Sequence, residues 1–235
     1  MTKIPYSRQL ISEDDIRSVS QALRSDFITQ GKRIDEFERA IAKFTGAKYC
    51  LVFNSATSAL HGAYFALGLG PTDEIITSPI TFVATSNAAL YLGARPVFSD
   101  VDLSSGNIDV LEIKKKVNKN TKIIVPVHYG GLSPALDQIS KLAKKNKISV
   151  VEDASQALGT KFNSSKIGDC KYSDISVFSF QALKHITTGE GGAITTNNKK
   201  LYELMRLFRT HGITKDPKLY INKNPGDWYH EMHVL

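Results

Sequence analysis

The sequence predicts an α/β protein, a three-layer α/β/α sandwich around a mainly parallel sheet. Three observations carry this. Short β-branched runs alternate with helical stretches of ten or more residues from about residue 48 to residue 209, the pattern of a sheet covered on both faces. The chain has 235 residues, enough for one large domain with a substantial core. Apolar residues make up 42% and charged residues 23%, an ordinary globular balance that excludes a disordered, collagenous or coiled-coil chain.

The elements follow in order. Ser12 with Asp15 three residues on opens a helix, and Ile16, Val19 and Leu23 share one face of it. A second helix carries Ile34, Phe37, Ile41 and Phe44 and stops at Gly46. Residues 48–53 read as a strand and 55–67 as a helix of small residues. The unit then repeats: strand 74–77, helix 82–92, strand 95–99, helix 108–117, strand 122–127, helix 135–145 and strand 148–153. Two further strands, 175–180 and 192–196, precede a helix at 198–209. The segment 214–228 is polar, holds two prolines and has no period, so it reads as a loop with no element after it.

Charge and cysteine content narrow the partners. Thirty Lys and Arg against 23 Asp and Glu give a formal charge of +7, which suits a phosphate-bearing ligand. The lysines are scattered, so nucleic acid is not expected. Clusters at Lys114–Lys116 and at Lys144, Lys145 and Lys147 read as solvated helix ends. Cys50 and Cys170 lie in no metal or redox spacing and read as reduced thiols of a cytoplasmic protein. The first ten residues contain no apolar run of a signal peptide, and no stretch nears 18 consecutive apolar residues. His230 and His233 have chelating spacing but no evident third ligand, so no metal is expected.

In an open α/β sheet, ligands sit at the carboxyl ends of the strands. Three strand ends are informative. Asn54-Ser55-Ala56-Thr57-Ser58 places hydroxyls and free N–H groups at a helix start, a cup for phosphate. Glu152-Asp153-Ala154-Ser155-Gln156 ends a strand on a carboxylate able to hold a protonated ring nitrogen, with Gln156 able to donate to a nearby oxygen. Ser179 to Lys184, followed by a turn rich in Gly and Thr, places a lysine just past an apolar strand, where an amine can form a Schiff base. Taken singly, each has a plainer reading: a helix cap, a turn carboxylate, an exposed loop lysine. Together they are the parts of a pyridoxal phosphate site.

At these residues the chain resembles the DegT/DnrJ/EryC1/StrS sugar aminotransferases. The resemblance lies in ITQGKRIDEFE (28–38), NSATSAL (54–60), SPITFVATSNA (78–88), VEDASQALG (151–159) and SFQALKHITTGEGGAITT (179–196). It implies the large domain of a fold type I pyridoxal-phosphate transferase over residues 1–211. Residues 212–235 are then a loop leading to a small C-terminal domain absent from this sequence. By position, it implies that Lys184 forms the Schiff base with the cofactor and Asp153 pairs with its ring nitrogen. Gln156 lies near the phenolic oxygen, Ala56, Thr57 and Ser179 bind the phosphate, and Phe82 stacks on the ring. A related dehydratase would carry His in place of Lys184. Position 181 is Gln where many relatives have His, a change expected to be tolerated.

Segments 51–60 and 77–88 look most like members that aminate C4 of a UDP-linked 4-keto-6-deoxy-N-acetyl-hexosamine in pseudaminic acid biosynthesis, with L-glutamate as donor. Relatives using bacillosamine-type or dTDP-linked keto sugars are the alternative, and an inactive truncated remnant is another. The resemblance further implies a homodimer in the intact form. A neighbouring subunit normally reaches the phosphate from a segment beyond residue 235, so the 235-residue chain alone is expected to be weakly active or inactive.

Overall fold

The computed structural model describes residues 4–5, 7–214, 216–223, 226 and 229–233. Its helices begin and end where local chemistry dictates. In α1 (Glu13–Leu23) the Ser12 hydroxyl accepts from the Asp15 N–H, and the Asp15 carboxylate accepts from the Ser12 N–H. This reciprocal cap satisfies two otherwise orphaned donors. α2 (Lys32–Thr45) stops at Gly46, whose φ of 92° is the left-handed conformation that a residue lacking Cβ adopts freely.

Strand β1 (Tyr49–Phe53) leads into α3 (Ala56–Ala66), capped by Ser55. β2 (Glu74–Thr77), α4 (Ala84–Leu90), β3 (Arg95–Phe98), α5 (Val110–Lys116), β4 (Thr121–Val125), α6 (Leu136–Asn146) and β5 (Ser149–Asp153) follow. A small hairpin, β6 (Lys161–Phe162) and β7 (Ser165–Lys166), precedes β8 (Ile175–Ser179), β9 (Gly192–Thr196) and α7 (Lys199–Arg209).

Seven strands form one sheet in the order β1-β9-β8-β5-β4-β2-β3. β8, β5, β4, β2 and β3 pair in parallel, while β9 runs antiparallel to both β8 and β1. One antiparallel strand in an otherwise co-directional sheet matches the expected mainly parallel arrangement. On one face, Leu51, Val125, Val151 and Val177 pack with Leu60, Ala88 and Met205 of α3, α4 and α7. On the other, Ile41 and Leu136 of α2 and α6 pack with Cys50, Phe178 and Ala193. Further along that face, Ile113 and Ile139 of α5 and α6 meet Ile76, Ile124 and Val150. The three layers are therefore present.

One predicted helix face is left uncovered, and two expectations need correction. The stripe Ile16, Val19 and Leu23 is exposed, at 50%, 60% and 68%, and α1 has no buried residue. Periodicity identifies residues that share a face, and the described residues supply nothing that covers this one. The strand expected over 122–127 ends at Val125, because Pro126 has no N–H for the ladder. Pairing resumes as a single parallel bridge between Val127 and Asp153. The stretch after residue 212 is not wholly loop: β10 (Ile213–Thr214) pairs antiparallel with β11 (Glu231–Met232). Parts of 214–228 lie outside the described residues.

Candidate active site

The carboxyl ends of β1, β2, β4, β5 and β8 open onto a cavity of about 610 Å³. All seven residues singled out in the sequence line it: Ala56, Thr57, Phe82, Asp153, Gln156, Ser179 and Lys184. They come from four places in the chain, the start of α3, the turn before α4, the end of β5 and the end of β8 with its loop.

One end of the cavity is the N-terminus of α3. The Ser55 hydroxyl accepts from the Ser58 N–H, so the capping reading of this segment holds. The N–H groups of Ala56 and Thr57, in the first turn, have no acceptor within the helix. With Thr57 and Ser179 lining the same cavity, they make a concavity suited to an anion. Cap and anion cup are compatible because the cap uses one donor and leaves two.

Asp153 is buried, with 5% of its surface exposed. Thr85 Oγ1 donates to its Oδ2 at 2.6 Å. Ser155 donates to Oδ1 from its hydroxyl at 2.6 Å and from its N–H at 3.2 Å. The Asp153 N–H donates to the Pro126 carbonyl, and the Asp153 carbonyl accepts from the His128 N–H. The carboxylate is therefore held at both oxygens and along its backbone. The segment holding it also holds Gln156, whose Oε1 accepts from the Gly130 N–H at 2.8 Å. That contact leaves the Gln156 amide hydrogens as the part of the side chain able to donate elsewhere.

Behind Asp153 lies a buried polar group that the sequence did not announce. His128 Nε2 and Glu152 Oε2 are 2.8 Å apart, and both side chains are almost wholly buried. Ser173 and Ser176 donate to Glu152 Oε1. Burial pushes the Glu152 carboxyl up, but the hydrogen bonds from His128, Ser173 and Ser176 outweigh it and leave the group below its ordinary range. This cluster anchors the 126–131 turn that positions Asp153 and Gln156.

Lys184 is half-buried and follows β8 in the loop 180–191. Its N–H donates to the Gln181 carbonyl, and among the described residues its ammonium has no carboxylate partner. The loop is folded on itself: the Thr188 N–H and Thr187 hydroxyl donate to the Phe180 carbonyl, and Ser179 pairs with Gly192 at its neck. Phe82 also lines the cavity and is 75% exposed. Thr81 and Thr85 are the site residues that sequence reading missed, while His128, legible as a strand-end histidine able to support the site, is buried against Glu152. Thr85 falls inside a predicted helix, where nothing local marks it as facing Asp153.

Residues 9–230 match the model of the DegT/DnrJ/EryC1/StrS aminotransferase family. The chain is 45% identical over 215 residues to a Campylobacter jejuni UDP-4-amino-4,6-dideoxy-N-acetyl-beta-L-altrosamine transaminase, covering 90% of this chain and 56% of that one. It is 40% identical over 229 residues to the Bacillus subtilis spore coat polysaccharide biosynthesis protein SpsC, covering 97% and 58%. Among solved structures, Helicobacter pylori PseC, an aminotransferase of pseudaminic acid biosynthesis, superimposes with a TM-score of 0.90 at 40% identity. That match covers all of this chain and 60% of the other. The PLP form of the Streptococcus pneumoniae sugar aminotransferase Spr1654 gives a TM-score of 0.88 at 27% identity, covering 98% and 61%. The chain thus spans somewhat over half the length of the relatives it matches. On the family match and these identities, the chain belongs to the DegT/DnrJ/EryC1/StrS aminotransferase family.

Proposed function

We propose that this chain is the cofactor-binding part of a pyridoxal-phosphate-dependent aminotransferase. Its substrates are a UDP-linked 4-keto-6-deoxy-N-acetyl-hexosamine, aminated at C4, and L-glutamate as donor. The observation carrying this is the convergence on one cavity of an open helix N-terminus, a clamped carboxylate and a lysine with no carboxylate partner among the described residues. The donor set fits the cofactor: hydroxyls and free N–H groups for a phosphate, Asp153 for a ring nitrogen, an amide for a ring oxygen and an amine for an aldehyde.

When bound, pyridoxal phosphate supplies an aldehyde carbon for amine exchange and a ring that withdraws electrons. Ala56, Thr57 and Ser179 hold the phosphate at the start of α3. Asp153 keeps a proton on the ring nitrogen, and Gln156 donates to the ring oxygen. Phe82 would offer its ring to one face of the cofactor. Lys184 would hold the cofactor's aldehyde in the resting site, and its amine, once freed by an entering donor amine, would take the proton from the donor's Cα. In the second half-reaction the same amine returns a proton when the keto sugar takes the amino group.

The sugar assignment draws on the Campylobacter and Helicobacter relatives and on the +7 charge, which suits a diphosphate-linked ligand. A relative that handles UDP-4-amino-4-deoxy-L-arabinose is 41% identical over 213 residues, so another nucleotide-linked keto sugar is the rival. We read residues 1–211 as the large domain and 212–235 as leading toward a smaller one, in a cytoplasmic homodimer. The matched relatives' greater length supports the domain reading.

The test is borohydride reduction of the protein with pyridoxal phosphate, followed by peptide mapping. The label is expected on the peptide containing Lys184, and a label elsewhere refutes the site. Turnover with both C4-keto UDP sugars and a dTDP analogue, compared as kcat/KM, decides the substrate.

A further inference from the structure

Asp153 is useful to a ring nitrogen only if its carboxylate is aimed and its remaining lone pairs are known. Among the described residues, the hydroxyl that reaches Oδ2 is that of Thr85, wholly buried in α4 and 68 residues away in sequence. Thr85 has one hydroxyl hydrogen and three acceptors within reach, Asp153 Oδ2 at 2.6 Å, Thr81 Oγ1 at 2.7 Å and the Phe82 carbonyl at 3.1 Å. The ionised oxygen is the nearest and the strongest acceptor, so the hydrogen goes to Asp153. Thr81 Oγ1 lies 2.7 Å from Thr85 Oγ1. Since Thr85 has spent its hydrogen, Thr81 must be the donor. The chain of hydroxyls runs one way, from Thr81 at the cavity wall through Thr85 to Asp153.

Thr85 is fixed from behind as well. The Tyr64 hydroxyl donates to the Thr85 carbonyl at 3.0 Å, and Tyr64 is wholly buried. Burial first, and the Asp153 charge second, push the Tyr64 phenol above its ordinary range, so it stays a donor. α3, α4 and β5 are thereby tied together through one residue, Thr85.

We propose that Thr85 is a positioning residue for the cofactor site: its hydroxyl, oriented by Thr81, occupies one side of Oδ2 so that Asp153 presents a fixed set of lone pairs to the ring nitrogen. This rests on the pyridoxal phosphate reading given above.

The experiment compares wild type, Thr85→Val and Thr85→Ser loaded with pyridoxal phosphate labelled with ¹⁵N in the ring. Valine keeps the branched shape without the hydroxyl, and serine keeps the hydroxyl. The ring ¹⁵N shift is followed against pH, the cofactor Kd by fluorescence titration, and folding by thermal melt. In wild type and Thr85→Ser the ring nitrogen is expected to remain protonated to the same pH. In Thr85→Val it deprotonates at lower pH, and cofactor binding weakens about tenfold. Identical ¹⁵N curves for Thr85→Val and wild type overturn the proposal. So does an equal change in Thr85→Ser, because packing and not the hydroxyl would then be responsible. If Thr85→Val fails to fold, the decision passes to Thr81→Val, expected to shift the curve the same way by a smaller amount; an unshifted curve there overturns the proposal. Wild type that binds no cofactor overturns the pyridoxal phosphate reading itself, and this proposal with it.

Discussion

Gly192, at the start of β9, lies against the Ser55–Ala56 peptide so closely that a Cβ on it would stand 2.5 Å from the Ser55 carbonyl oxygen and the Ala56 nitrogen. Backbone meets backbone there, and no flexible side chain can move aside. The glycine is what lets the antiparallel strand and the anion cup of α3 share one wall.

Gly192→Ala is therefore expected to displace the start of α3 while leaving the rest of the sheet intact. Overpacking of this kind costs about 1–3 kcal/mol. The melt should fall accordingly, and affinity for inorganic phosphate or pyridoxal phosphate should fall with it. A variant with wild-type affinity would show that the cup is not set by this contact.

Asp153→Asn keeps the size of the side chain and removes its charge. An amide cannot hold a proton on a ring nitrogen as a carboxylate does. Loss of one charge-assisted hydrogen bond amounts to about 1.5–3 kcal/mol, roughly ten- to hundredfold in cofactor binding or turnover. Spectral titration with pyridoxal phosphate and single-turnover rates with glutamate measure both.

Glu74 supplies a pH prediction. The Asn118 amide and then the Arg95 guanidinium hold its buried carboxyl below the ordinary range. A carboxyl with a lower pKa in the folded state contributes stability that is present above its unfolded pKa and is lost as pH falls through the folded one. The stability of the wild type should therefore decline on acidification below about pH 4. Glu74→Gln should be less stable at neutral pH and show a shallower acid limb in urea melts.

Cys50 and Cys170 are both buried and free. Burial pushes the Cys50 thiol well above its ordinary range and the Cys170 thiol to about 12. Neither is expected to react with iodoacetamide in the native protein at neutral pH, while both should react in urea. Mass spectrometry of the labelled chain counts them.

The alternating elements were legible because each long helix or strand carries its own period, and the caps at Ser12, Ser55 and Gly46 were legible because they are local. The hairpin β6–β7 and the β10–β11 pair were not, since two residues per strand give no period to read. Lys184, Asp153 and the α3 cup could be read from their places at strand ends. Thr85 and the His128–Glu152 pair could not, because their significance lies in partners 68 and 24 residues away. The outward stripe of α1 is the complementary case, a correct local pattern whose cover is a tertiary matter.

The neck formed by Ser179 and Gly192 has a consequence for how such chains diversify. Because β9 returns antiparallel beside β8, the lysine loop leaves the sheet and re-enters it through one closed gate. On either side of Lys184, the stretch between residues 181 and 190 can then change in length or type without rethreading any strand, while Phe180 stays packed in the core. Evolution can vary the walls around the reactive amine as a cassette while the load of the fold rests elsewhere.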